Sequence, residues 1–172
     1  MADRNKNLWA PWRMEYIRSL GEELSEEGCF LCRYWSDPAR DGENHVIWRT
    51  PTGFVVMNRF PYTNGHLLVC LGEHRGELHD LGDEEMTGMT RMIRDAVSVL
   101  REALAPEGFN IGYNLGRCAG AGLPGHLHAH VVPRWSGDTN FMAVIGDTRV
   151  IPDALDAAYR ELVDKAAALG LR

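Results

Sequence analysis

Apolar positions recur along this chain with two different periods. Between residues 45 and 71 they fall in short runs, "HVIWRT" (45–50), "GFVVMN" (53–58) and "GHLLVCL" (65–71), broken by "RTPTG" and "RFPYTNG". Runs rich in β-branched and aromatic residues, bounded by Gly, Pro and Asn, predict strands joined by turns. From 83 to 104 the period changes. Met86, Met89, Ile93, Val97, Leu100 and Leu104 return at helical spacing behind an acidic first turn, which predicts a helix over 83–104. "GFNIGYNLG" (108–116) predicts a further strand, and residues 152–170 a last helix stopped at Gly170. Residues 1–20 gather Trp9, Pro11, Trp12, Tyr16 and Ile17 into an arm or short helix, and 21–44 read as acidic and turn-rich around "CFLC". Strands in hairpins with helices inserted late predict an α+β antiparallel sheet rather than a doubly wound one. The expected organisation is one domain: an arm carrying a CxxC over 1–44, a core over 45–146 and a C-terminal helix over 147–172.

Size and charge narrow the function. A chain of 172 residues buries enough surface for a core without disulfides, and four cysteines are too few for a disulfide framework. The net charge of -6 argues against nucleic acid or an anionic membrane as partner. It leaves room for a small polyanion held by a few oriented donors. The polar amino terminus lacks an apolar leader core, and no window reaches the length of a membrane span, so a cytoplasmic protein is expected.

The chemical signal is "GHLHAHVVPRW" (125–135), with histidines at 126, 128 and 130. A spacing of two is the strand period, so the three imidazoles are expected on one face, with Leu127, Ala129 and Val131 on the other. Three readings compete: a polar edge face, chelation of one metal ion, or a nucleophilic histidine flanked by helpers. Three of the chain's seven histidines within five residues weigh against the first. Neutral imidazole attacks phosphorus well and its adduct leaves easily, which divides one displacement into two.

"HLHAHVVP" also resembles the signature of the histidine-triad nucleotide-binding proteins. "VVMNRFPYTNGHLLV" is similar to that family's nucleotide-binding strand pair, and "NIGYNLG" to the strand entering its phosphate loop. The resemblance covers roughly residues 45–146. It implies a five-stranded antiparallel sheet with two main helices, and a homodimer whose two sheets join. By matching position it implies His128 as the nucleophile on an α-phosphorus, His130 with Asn114 on the phosphate oxygens, and His66 orienting the triad. Asn58 takes the ribose position, and Val56 and Leu68 the purine walls, although burial alone explains two such strand residues equally well. Trp135 joins the candidate nucleotide-binding residues. Gly122 and Leu123 stand where relatives carry a polar side chain for the leaving group. The backbone N–H groups of Gly120, Ala121 and Gly122 are then expected to form an anion nest. Arg117 reads either as a contact to distal phosphates or as a solvated arginine.

"CFLC" allows a redox pair or half of a metal site. Some bacterial histidine-triad proteins resemble this chain in an early CxxC, a histidine after the "GHxLV" strand and use of the first triad histidine as ligand. That resemblance implies a closed, structural zinc site of Cys29, Cys32, His74 and His126. Cys70 reads as core, Cys118 as exposed, and His45 and His79 as ordinary surface positions.

"LWAPWRMEYI" and "HVVPRWSGDTNFMAVIG" resemble the phosphorylase branch of the family. Trp9 and Trp12 suit either base stacking or a subunit contact. The expected reaction is transfer of AMP from a diadenosine polyphosphate, through an AMP-histidine, to phosphate. The alternatives are hydrolysis of dinucleoside polyphosphates or AMP conjugates, and nucleotide binding with weak catalysis.

Overall fold

The two hydrophobic periods become two layers. The computed structural model describes residues 28–138 and 154–171. Two short helices, α1 (Phe30–Ser36) and α2 (Asp41–Asn44), precede strands β1 (Val46–Thr50), β2 (Gly53–Met57) and β3 (Leu67–Leu71). Helix α3 (Asp83–Leu104), strands β4 (Gly108–Tyr113) and β5 (His128–Arg134), and helix α4 (Leu155–Ala168) follow. The strands form one sheet in the order β1-β2-β3-β5-β4, antiparallel throughout. The chain is α+β, as its pattern predicts. The aromatic arm and residues 139–146 of the "GDTNFMAVIG" segment lie outside the described residues.

Strand alternation sorts the side chains. Val55, Met57, Leu67, Val69, Leu71, Ala129 and Val131 point to one face, where they meet Met89, Met92, Ala96, Val99 and Leu100 of α3 and Ala158, Leu162 and Ala166 of α4. Each large side chain buried there contributes roughly 1.5–3 kcal/mol, so this face is the mechanical foundation. The opposite face carries a smaller cluster: Val46, Phe54, Val56, Leu68 and Cys70, with Cys29, Leu31 and Leu123 laid over them. His128 and His130 share this second face. Register then aligns two rows across the sheet. Val46, Val56, Leu68, His130 and Gly112 form one, and Arg49, Phe54, Cys70 and His128 the other.

Helix α1 stands in the stretch whose sequence reads as turns. Seven residues are too few for a helix to stand alone in water, so its support is tertiary. Leu31 is fully buried, and Trp35 stacks on Phe54 with ring centroids 5.8 Å apart. Trp35 also lies so close to Gly72 that a Cβ there would meet its ring at 2.8 Å. Arg49 of β1 reaches across to clamp the helix. Its guanidinium donates to the Trp35 carbonyl (3.0 Å), to the Tyr34 carbonyl and to both oxygens of Asp41, while covering the Trp35 and Phe54 rings.

His45 is not an ordinary surface residue. It ends α2 in the left-handed region (φ 58°), and its Nε2 donates to Asp156 of α4 at 2.8 Å. His79 and Cys118 are exposed and Cys70 is buried, as expected. Among the described residues, no helix is long and apolar enough to cross a membrane.

Candidate active site and metal cluster

The triad splits at the start of β5. His128 and His130 lie in the strand, whereas His126 precedes it, in a turn where its N–H donates to the Leu123 carbonyl at 3.3 Å. The turn swings the His126 ring away from the other two and toward α1.

Hydrogen bonds to groups of fixed polarity assign the tautomers of the remaining three imidazoles. The Tyr62 backbone N–H donates to His66 Nδ1 (3.1 Å), so His66 carries its proton on Nε2. That proton is donated to His130 Nδ1 at 3.0 Å, which places the His130 proton on its own Nε2. The His128 Nδ1–H donates to the His126 carbonyl at 2.8 Å, so Nε2 of His128 is a bare lone pair. The two rings meet edge to face, 5.1 Å between centroids. The site therefore presents an imidazole nucleophile beside an imidazole hydrogen-bond donor. Burial, with His128 nearby, holds His130 down to about 4, and burial also lowers His128. Both rings are neutral at ordinary pH, as these tautomers require.

Asn58 and its loop sit against the same chain of bonds. Its Nδ2 lies 3.3 Å from His66 Nδ1, and its Oδ1 accepts the Phe60 N–H at 2.9 Å. The Tyr62 ring packs over His66 and His130, with centroids 4.6 and 5.9 Å away. The sequence drew no attention to Tyr62, although its place four residues before His66 was visible. Leu68 is directly cross-strand from His130 and Val56 from Leu68, both buried. On the other side of His130 stands Gly112, where an added Cβ would meet only open space.

The phosphate loop differs from the expected nest. After β4, Asn114 donates to the Gly120 carbonyl at 3.4 Å. The N–H of Gly120 closes a 3₁₀ turn onto Arg117, and that of Ala121 returns to the Gly116 carbonyl (3.0 and 3.3 Å). These two amides are spent within the loop and do not form a nest in this conformation. Gly122 is partly buried, Leu123 is packed into the second hydrophobic cluster, and Arg117 is exposed. Trp135 is not brought to the site. It lies past the end of β5, five residues and so about 16 Å along the strand from His130.

His126 belongs to a second group. Cys29, Cys32, His74 and His126 bring their ligand atoms within 4.8 Å of one another. His126 Nδ1 lies 3.3 Å from Cys29 Sγ and 3.4 Å from Cys32 Sγ, and His74 Nδ1 lies 3.2 Å from Cys32 Sγ. A tetrahedral S₂N₂ set around a zinc-sized ion has nitrogen–sulfur edges of about 3.6 Å, so these residues fit. His126 Nε2 donates to the Leu71 carbonyl at 2.7 Å, which leaves Nδ1 as the free lone pair a metal needs. Burial holds His126 down to about 4, favouring the neutral, ligating form. The cluster is able to bind a metal ion.

Comparison with known proteins agrees with this geometry. The HIT domain family model matches residues 39–137. The chain is 36% identical over 174 residues to the AP-4-A phosphorylase of Mycobacterium tuberculosis, covering 96% of this chain and 86% of that protein. It is 31% identical over 116 residues to the adenosine 5'-monophosphoramidase hnt1 of Schizosaccharomyces pombe, covering 67% of this chain and 84% of that one. Among solved structures, a Zn-bound histidine triad family protein from Mycobacterium smegmatis superposes with a TM-score of 0.65 at 29% identity, over 81% of this chain and 95% of that one. With its triad strand, its His66–His130 bond and a family match across more than half its length, this chain belongs to the HIT domain family.

Proposed function

We propose that this HIT protein transfers AMP from a diadenosine polyphosphate to inorganic phosphate. The observation that carries this reading is the bond from His128 Nδ1–H to the His126 carbonyl, which leaves Nε2 of His128 free to attack. In the first step that lone pair bonds to the α-phosphorus, and the bond from phosphorus to the bridging oxygen breaks. Diadenosine tetraphosphate thus releases ATP and leaves AMP on His128. In the second, a phosphate oxygen takes the AMP, the phosphorus–nitrogen bond breaks, and ADP departs with His128 neutral again. The Nε2–H of His130 and the Asn114 side chain bind the non-bridging oxygens as charge builds there. His66 holds the His130 tautomer. Asn58 receives the ribose, and Leu68 and Val56 line the purine.

Leu123 supports a polyphosphate over an amine as leaving group. A packed leucine offers no proton, and a polyphosphate needs less help to depart. The kinship with an AP-4-A phosphorylase supports phosphate as acceptor, while the kinship with a monophosphoramidase keeps hydrolysis as the second reading. A nucleotide-binding protein with weak catalysis is the third, resting on the same leucine.

The metal we assign to Cys29, Cys32, His74 and His126 is zinc in a structural role, since two thiolates and two imidazoles complete its tetrahedron and leave no open position. We assign a homodimer through the outer edge of β4, whose residues Asn110 to Gly112 are exposed and unpaired on that side.

Product analysis tests the reaction. Diadenosine tetraphosphate incubated with the protein yields ATP plus ADP only when phosphate is present. ATP plus AMP regardless of phosphate would make it a hydrolase, and AMP binding without turnover would make it a binding protein.

A further inference from the structure

His126 faces both centres. Its ring is held by Leu71 on one nitrogen and turned to the Cys29 and Cys32 sulfurs on the other, while its backbone carbonyl accepts the proton that fixes His128. The peptide plane containing that carbonyl also contains the Leu127 N–H, which donates to the Arg75 carbonyl at 2.6 Å. Arg75 follows His74, the fourth member of the cluster. Both supports of the plane, the His126 ring on one side and the 74–75 backbone on the other, therefore lead back to the same four residues. The two segments approach backbone to backbone. A Cβ on Gly76 would meet the Pro124 carbonyl oxygen at 2.3 Å, and one on Gly125 would meet His74 Nε2 at 3.1 Å.

We propose that His126 is a positioning residue for the nucleophile, and that its carbonyl is held in place by a filled Cys29–Cys32–His74–His126 cluster. The proposal rests on the reading of His128 as nucleophile and of the cluster as a metal site. A histidine in water favours the Nε2–H tautomer, which has no lone pair on the attacking nitrogen. Only the acceptor at the His126 carbonyl keeps the proton on Nδ1. When the cluster is empty, His126 and the 74–75 backbone lose their common tether, the carbonyl drifts, and His128 slips toward the unreactive tautomer. Nucleotide affinity, which depends on Asn58, Leu68 and His130, stays as it is.

The test compares wild type with His74→Ala and His74→Cys, because His74 reaches His128 only through the cluster. Four quantities are measured: zinc content, the His128 tautomer by ¹⁵N correlation spectra of the imidazole, AMP affinity by calorimetry, and the single-turnover rate of AMP transfer from diadenosine tetraphosphate. In wild type, zinc is bound and His128 carries its proton on Nδ1. In His74→Ala, zinc is lost, the tautomer shifts toward Nε2–H, and transfer slows about 10- to 100-fold, the usual cost of a lost supporting contact around a metal site. AMP affinity changes by less than about twofold, well below what losing one net hydrogen bond would cost. His74→Cys restores zinc, tautomer and rate together. Should His74→Ala not fold, titrating folded wild type with a chelator gives the same comparison.

Zinc lost with tautomer and rate unchanged would overturn the proposal. A wild type that binds no metal would remove the cluster reading and this proposal with it. A zinc-loaded wild type that forms no AMP-histidine would remove the nucleophile reading instead, so the three failures are told apart.

Discussion

His66 Nε2 and His130 Nδ1 are 3.0 Å apart, and the proton between them belongs to His66 because the Tyr62 backbone amide occupies its other nitrogen. The loop between β2 and β3 thereby dictates which nitrogen of a histidine on β5 can donate to substrate. A His66→Phe variant keeps the aromatic packing and removes the proton. One such hydrogen bond is worth about 1 kcal/mol, so kcat should fall roughly fivefold with little change in AMP affinity. Steady-state kinetics beside calorimetry decides. An unchanged kcat would mean that His130 needs no orienting partner.

His128→Ala should abolish AMP transfer and the acid-labile AMP adduct seen by mass spectrometry, while AMP binding stays within about tenfold of wild type. Adduct formation at wild-type levels would move the nucleophile to another residue.

The pH behaviour follows from His130. Burial, with His128 nearby, takes it from an ordinary histidine value to about 4 in the fold. Between about 6.5 and 4 the unfolded chain binds a proton that the folded one refuses. Stability contributed by this residue is therefore fully present above 6.5 and declines as pH falls toward 4. Replacing His130 with Gln should flatten the slope of the unfolding midpoint against pH in that window, read by thermal denaturation at constant zinc. An unaltered slope would mean the ring is not kept neutral by burial.

Gly112 marks vacant space beside His130 on the sheet face that carries Leu68. A Gly112→Val side chain suits a strand and meets no neighbour, so Tm should hold or rise. A mis-sized group in a pocket costs about 1–3 kcal/mol, hence AMP affinity should drop by about 10- to 200-fold. Full affinity in this variant would mean that the nucleotide lies elsewhere.

Leu123 gives the complementary case. Only 3% of it is exposed, within the cluster that also holds Phe54 and Cys29. Leu123→Ser should cost about 2–5 kcal/mol of stability, as large core truncations do. The buried hydroxyl is not expected to raise turnover of AMP-amine substrates. Faster cleavage of such a substrate would show that the hydroxyl reaches the leaving group.

Much of this was legible in the sequence, for a physical reason. The helix over 83–104 is recovered residue for residue, because a long amphipathic stripe has one way to be buried. The strands fall within a few residues of their predicted ends, and the alternation in "HLHAHVV" does separate Ala129 and Val131 from His128 and His130. Helix α1 was not legible, since seven residues owe their conformation to Trp35, Gly72 and Arg49 from distant positions. The same holds for the loop amides of Gly120 and Ala121, for the ion pair of His45 with Asp156 and for the ring of Tyr62. Composition shows that a glycine or a histidine is present, but not which partner has already taken its hydrogen bond.

The Arg49 clamp has a bearing on time rather than on structure. Cys29 and Cys32 ride on α1, which the guanidinium ties to β1, while His74 and His126 belong to the sheet side. A bound ion can leave only when these halves part. The residence time of the ion is thus set by how often the flap 28–41 swings open, a local fluctuation that amide hydrogen exchange of α1 would clock directly. Weakening Arg49 would let the ion exchange faster without altering a single ligand.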